Sequence, residues 1–111
     1  MAIFSTHLLN STDGTHASDV GIVIYKVNNN NKVVFLEDKT DSSGRMLKEF
    51  ELTKEDCESD YEMIINSGKY FRNTSEIVNS ISVKFKMKDP HKKYHMPVII
   101  SPNGYSIWWS K

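Results

Sequence analysis

Ile81-Ser82-Val83-Lys84-Phe85-Lys86-Met87-Lys88 alternates apolar and polar side chains from its first residue to its last. A period of two belongs to an extended strand, whose successive side chains point to opposite faces. One face here is apolar and the other rich in lysine, so the segment reads as a strand with one side buried and one in water. Such a strand needs a second layer to cover its apolar face.

Candidates for that layer lie on both sides. Residues 20–27, 33–36, 49–52, 61–66, 95–101 and 105–109 are rich in β-branched and aromatic side chains, and residues 1–10 contain a further alternating segment. Between them stand turn signals: Thr12-Asp13-Gly14, the asparagine run 28–31, Asp41-Ser42-Ser43-Gly44, Ser67-Gly68, Asp89-Pro90 and Pro102-Asn103-Gly104. Asn103-Gly104 is the strongest, because both residues tolerate the positive φ of a tight primed hairpin turn. Seven or eight short strands at this spacing predict an all-β sandwich of two antiparallel sheets. The only helix expected is a short one over residues 73–79, with Thr74 or Ser75 as its N-cap.

The totals narrow the function. A chain of 111 residues suits one domain, residues 1–111, with one core. Lys plus Arg number 14 against 14 Asp plus Glu, so no net field favours nucleic acid or an anionic membrane. The single cysteine, Cys57, rules out an internal disulfide and leaves no cysteine pair for structural zinc. With no basic stretch followed by an apolar run at the N-terminus, the expected location is the cytoplasm.

Four histidines, His7, His16, His91 and His95, are the natural candidates for acid–base work near neutral pH. His91 and His95 have the spacing of a helical metal pair. Pro90 and Pro97 flank them and argue against the helix, so no metal is expected and His91 reads as a loop residue. Taken singly, His95 is a residue at the start of an apolar strand. His7 shares a strand face with Ile3, Ser5 and Leu9, and Arg45 is a charge following a turn glycine. Lys84, Lys86, Lys88, Lys92 and Lys93 form a basic stripe of the kind that keeps a strand edge from pairing.

Their combination says more. Thr6-His7-Leu8-Leu9-Asn10, then Asp41-Ser42-Ser43-Gly44-Arg45, then Ser67-Gly68-Lys69-Tyr70-Phe71, and finally the run from Tyr94 to Ser106, YHMPVIISPNGYS, follow one another along nearly the whole chain. In order and spacing they resemble the transthyretin-like family, in its 5-hydroxyisourate hydrolase branch. The last block is the most specific, being similar to the family's H-Y-H-V-P-L-L-L-S-P-x-x-Y-S.

The resemblance implies a prealbumin-type sandwich of two four-stranded sheets. It also implies a homotetramer, a dimer of dimers, with the active site between dimers in a channel lined by the first strand and the last two. It places catalytic groups at His7, Arg45 and His95, and substrate contacts at Ser106, Trp108 and Lys111. The implied reaction opens the cyclic amide of 5-hydroxyisourate to give 2-oxo-4-hydroxy-4-carboxy-5-ureidoimidazoline in urate breakdown, without a cofactor. Transthyretin proper lacks these histidines and this arginine.

The chain departs from the family pattern in places. Trp108-Trp109-Ser110-Lys111 stands for Y-R-G-S, Lys93 for the first histidine of H-Y-H, and Asn10 for the usual aspartate. Two further readings come from other classes. A non-catalytic ligand carrier would draw on the aromatic C-terminus, since two tryptophans add stacking surface. An immunoglobulin-like docking module would be monomeric.

Overall fold

The structure, a computed structural model, describes residues 1–72 and 77–109. Eight strands run in chain order: β1 (Ala2–Asn10), β2 (Gly21–Asn28), β3 (Asn31–Lys39), β4 (Arg45–Phe50), β5 (Asp60–Ile65), β6 (Ile81–Phe85), β7 (Lys93–Ser101) and β8 (Gly104–Ile107). They form two four-stranded sheets of order β4-β1-β7-β8 and β3-β2-β5-β6. Both sheets were expected to be antiparallel throughout. The β1–β7 pair is instead parallel, joined in register from Ile3↔Lys93 to Asn10↔Ile100. Since β1 and β7 are far apart in sequence, no hairpin constrains their relative direction.

Strand alternation builds the core. Along β1, Ala2, Phe4, Thr6, Leu8 and Asn10 are buried, and on β7 Tyr94, Met96, Val98 and Ile100 join them. From the second sheet come Ile22, Ile24, Tyr61, Met63, Ile65 and Ile81. The Phe85 ring links the layers, 5.6 Å from Phe4 and 5.8 Å from Tyr61 between centroids. The segment 81–88 keeps its alternation beyond the end of β6: Ile81 and Met87 are buried while Ser82, Lys84, Lys86 and Lys88 face water.

Local chemistry explains the turns. The asparagine run closes β2 and β3 through Asn29 and Asn30 alone, at φ 49° and 72°. That is the positive-φ pair of a primed hairpin, which asparagine accepts more readily than most residues. The same geometry was expected at Asn103-Gly104 and is absent there: Gly104 is the first residue of β8, paired with Ser101, and the turn is made by Pro102 and Asn103. Proline fixes an ordinary negative φ at the first turn position, so the bend forms without left-handed residues.

The expected helix over residues 73–79 falls largely on residues outside those described. Two short helices occur elsewhere. α1 (Lys54–Glu58) starts with a reciprocal capping box between Thr53 and Asp56, and Ser67-Gly68, read as a turn, opens α2 (Ser67–Tyr70). Neither is long enough to show a helical period. Among the described residues no helix is long and apolar enough to cross a membrane.

Candidate active site

The three groups singled out in the sequence meet on the outer face of the first sheet. In the β1–β4 ladder His7 is directly opposite Arg45, and in the β1–β7 ladder Ser5 is opposite His95 and His7 opposite Pro97. Residues of one strand parity share a face. His7, Arg45 and His95 therefore project together from three neighbouring strands, in two adjacent cross-strand rows. Leu47, Ser5 and His95 make one row. Arg45, His7 and Pro97 make the next, continued past the end of β8 by Trp108, whose amide bonds the Pro97 carbonyl at 3.4 Å.

The turn before β4 sets Arg45. Asp41 Oδ1 accepts from the amides of Ser43 and Arg45 at 2.9 and 3.0 Å, and the Asp41 carbonyl accepts from Gly44 at 2.9 Å. Gly44 holds φ 72° and passes its carbonyl to the Leu8 amide at 2.7 Å. A carboxylate thus shapes the turn, while the guanidinium is left exposed on the face.

Each imidazole has a partner that sequence reasoning did not assign. His95 Nδ1 lies 2.7 Å from Ser5 Oγ, on a serine only 5% exposed. His7 Nε2 lies 2.9 Å from His16 Nδ1, with the rings edge to edge, 5.1 Å between centroids and 26° between planes. Ser5 was within reach of the parity argument that placed it on the face of His7. His16 was not, because it lies in the loop after β1 and returns through a single bridge to Leu9.

The His7 and His95 imidazoles are both held below the ordinary 6.5. For His7 the causes are burial, then the Arg45 charge, His16 and His95, opposed by a backbone hydrogen bond to Ser43. For His95 they are burial, then the charges of Lys93 and Arg45, opposed by the Ser5 backbone. Two neutral imidazoles beside a fixed cation can accept a proton and hold a developing negative charge.

The other predicted contacts spread out. Ser106 is exposed opposite Ile99, in the row of Leu9, next to the row of His7. Four residues of strand separate its row from that of His95, about 13 Å. Trp108 is 46% exposed at the His7 row. Lys111, with Ser110, lies outside the described residues. Trp109 turns the other way, its ring 5.5 Å from that of Tyr94 and under the Lys92 ammonium, so only one of the two tryptophans adds to the histidine face. His91 sits in an exposed turn, with Nδ1 3.2 Å from the terminal amine.

The sequence profile of the HIUase/Transthyretin family matches residues 4–109. The chain belongs to this family. It is 29% identical over 108 residues to the 5-hydroxyisourate hydrolase of Salmonella dublin, an alignment covering 96% of this chain and 79% of that one. Among solved structures it superposes on Klebsiella pneumoniae 5-hydroxyisourate hydrolase with a TM-score of 0.81 at 20% identity, covering 98% and 99% of the two chains. It superposes equally well on transthyretin from Sparus aurata, with a TM-score of 0.82 at 17% identity and coverage of 96% and 95%. Backbone likeness thus spans an enzyme and a protein titled transthyretin, and the side chains must decide between chemistries.

Within the family frame, two departures acquire physical meaning. Asn10 is 7% exposed; its Oδ1 accepts from the Thr12 amide and hydroxyl at 2.9 and 2.6 Å while its Nδ2 donates to the Tyr70 hydroxyl at 3.4 Å. An aspartate has no donor there, so the Tyr70 hydroxyl would have to turn and donate instead; as it stands Asn10 braces the loop against Tyr70. Lys93 stands two residues before His95 on the same face and depresses its pKa. Lys93→Gln is accordingly expected to move the acid limb of kcat/KM upward toward 6.5, with burial keeping it below that value. Because Lys93 is exposed, the shift should shrink as salt is added. A pH–rate profile at low and high ionic strength checks this, and an unmoved limb at low salt would show that the group titrating in that limb is not the His95 imidazole beside Lys93.

Proposed function

We propose that this chain is a 5-hydroxyisourate hydrolase of urate catabolism, acting in the cytoplasm as a homotetramer. The observation that carries the reading is the cross-strand convergence of His7, Arg45 and His95, on a fold shared by enzyme and carrier. A carrier needs an apolar channel; it does not need two imidazoles of lowered pKa around a guanidinium.

His95 is the general base. Nδ1 is held by the Ser5 hydroxyl, and Nε2 has no hydrogen bond within the described residues; in the tautomer that donates from Nδ1 to Ser5, Nε2 is the unprotonated nitrogen. It takes a proton from water as the water oxygen bonds to the ring carbonyl carbon. Arg45 stabilises the negative charge gathering on the carbonyl oxygen through its paired N–H donors. The tetrahedral centre collapses with cleavage of the C–N bond, and an imidazolium returns the proton to the leaving nitrogen. His7, beside Arg45, orients the ring and the water. Ser106, Trp108 and Lys111 border the bound substrate, and no metal or organic cofactor takes part.

The assembly has support from the same face. Leu47 is 54% exposed and Trp108 46%, and Ile3, Leu9 and Ile99 are half-buried around the histidines. Apolar side chains surrounding catalytic groups on an open sheet suit cover by another subunit.

Freshly generated 5-hydroxyisourate, followed by its ultraviolet absorbance, is expected to disappear several orders of magnitude faster with the protein present. Loss at the spontaneous rate, in a sample shown to be tetrameric by sedimentation, would overturn the proposal.

A further inference from the structure

We infer that His16 is a positioning residue, holding His7 in a single tautomer and orientation through the 2.9 Å contact between His16 Nδ1 and His7 Nε2. The inference rests on the hydrolase reading for its kinetic consequence and on geometry for everything else.

Two neutral imidazoles sharing a nitrogen–nitrogen hydrogen bond hold one proton between them. Either His16 Nδ1 donates to His7 Nε2 or the reverse. The Ser43 backbone breaks the tie: it acts to raise the His7 pKa, which favours a ring proton on its side, and with Nε2 taken up by His16 that proton belongs on Nδ1. His7 then carries its proton on Nδ1 and accepts from His16 at Nε2. A ring tied edge to edge to its neighbour through Nε2, with the two planes 26° apart, has little freedom to flip.

The backbone is arranged to permit this contact. His16 is brought back to β1 by reciprocal bonds around its bridge with Leu9: the Asn10 amide donates to the Thr15 carbonyl at 2.8 Å and the Ala17 amide to the Leu8 carbonyl at 2.9 Å. Gly44 lies directly beneath, where an added Cβ would come within 3.3 Å of the His16 Cβ. The charged and titratable groups around His7 are Arg45 from β4, Asp41 from the preceding turn, His95 from β7 and His16 itself. Among the described residues His16 is the one whose side chain bonds the ring, and its own Nε2 has no hydrogen-bond partner there. It thereby links the half-buried His7 ring to solvent.

This arrangement divides the labour of the two reacting histidines. His95 presents an Nε2 with no hydrogen bond among the described residues and acts as base, whereas the Nε2 of His7 is occupied, which suits that ring to orientation and to relaying a proton outward through His16.

The test compares the wild type with His16→Ala and His16→Asn. The asparagine amide nitrogen stands as many bonds from the backbone as Nδ1 and can donate to His7 without titrating. Two-bond proton–nitrogen correlation spectra at a pH where the imidazoles are neutral should show His7 as the Nδ1–H tautomer in the wild type, a mixture in His16→Ala, and the single tautomer again in His16→Asn. kcat should fall about 10- to 100-fold in His16→Ala, with KM little changed, and recover most of the loss in His16→Asn. An unchanged His7 tautomer in His16→Ala overturns the inference whatever the kinetics. A wild type without turnover would instead remove the hydrolase reading, and the tautomer spectra would still decide the role of His16.

Discussion

His95→Ala is expected to lower kcat by roughly a hundred- to ten-thousand-fold while leaving the sandwich assembled. The size follows from what the side chain supplies: a proton acceptor, on the sheet face, with one ring nitrogen held by Ser5 and the other without a hydrogen bond among the described residues. The stability cost should be small because His95 points away from the core. What is lost is its packing and one hydrogen bond to a serine that is 5% exposed, about 1 kcal/mol. Denaturant unfolding beside steady-state kinetics separates the two effects. A rate within threefold of the wild type would move the base elsewhere in the site, His7 being the next group to test.

The same lowered titration gives the pH dependence its sign. A histidine whose folded pKa lies below 6.5 resists protonation in the native state, so the unfolded chain binds protons first as pH falls. The contribution to stability is intact above 6.5 and is lost as pH drops through the folded values. Activity should fail in that acid window too, since a protonated His95 cannot accept a proton. Both losses arise from one cause, burial of the rings beside Arg45.

Much of this was legible in the sequence because it depends on period and spacing. Alternation located the strands and the face of each, so Ile3, Ser5, His7 and Leu9 could be assigned to one side of β1, as the ladders have them. The motif order brought His7, Arg45 and His95 into one family frame, although nothing in the intervening residues shows that β1 lies between β4 and β7. What escaped was set by tertiary pairing. The parallel direction of β7 relative to β1 has no local signature, and with it went the Ser5–His95 contact. His16 sits in a loop where no periodicity applies, and its partnership with His7 depends on a bridge of a single residue pair. The five-residue α1 was signalled only by Thr53 and Asp56 of its capping box, a pattern easily overlooked before so short a helix.

Gly44→Ala should produce the largest loss of stability among single substitutions at the site. Two independent costs coincide there. Gly44 holds φ 72°, in the left-handed region where a Cβ costs about 1–2 kcal/mol. The Cβ would also stand 2.5 Å from the Leu8 carbonyl oxygen and 3.1 Å from the Ala17 amide, backbone atoms already bonded to each other. Relieving that overlap means moving β1 or the returning loop, at a further cost of about 1–3 kcal/mol. Gly14 provides the control. It has φ 76° and nothing within 4 Å of an added Cβ, so Gly14→Ala bears the conformational cost alone. Denaturant midpoints for the pair should therefore differ by an amount that isolates the close approach, about 1–3 kcal/mol in disfavour of Gly44→Ala. Equal losses would show that the strand and loop yield freely at this point. In that case the glycine before Arg45 would be required for turn conformation only, and its contact with the loop that carries His16 would play no part in holding β1, the turn and that loop together.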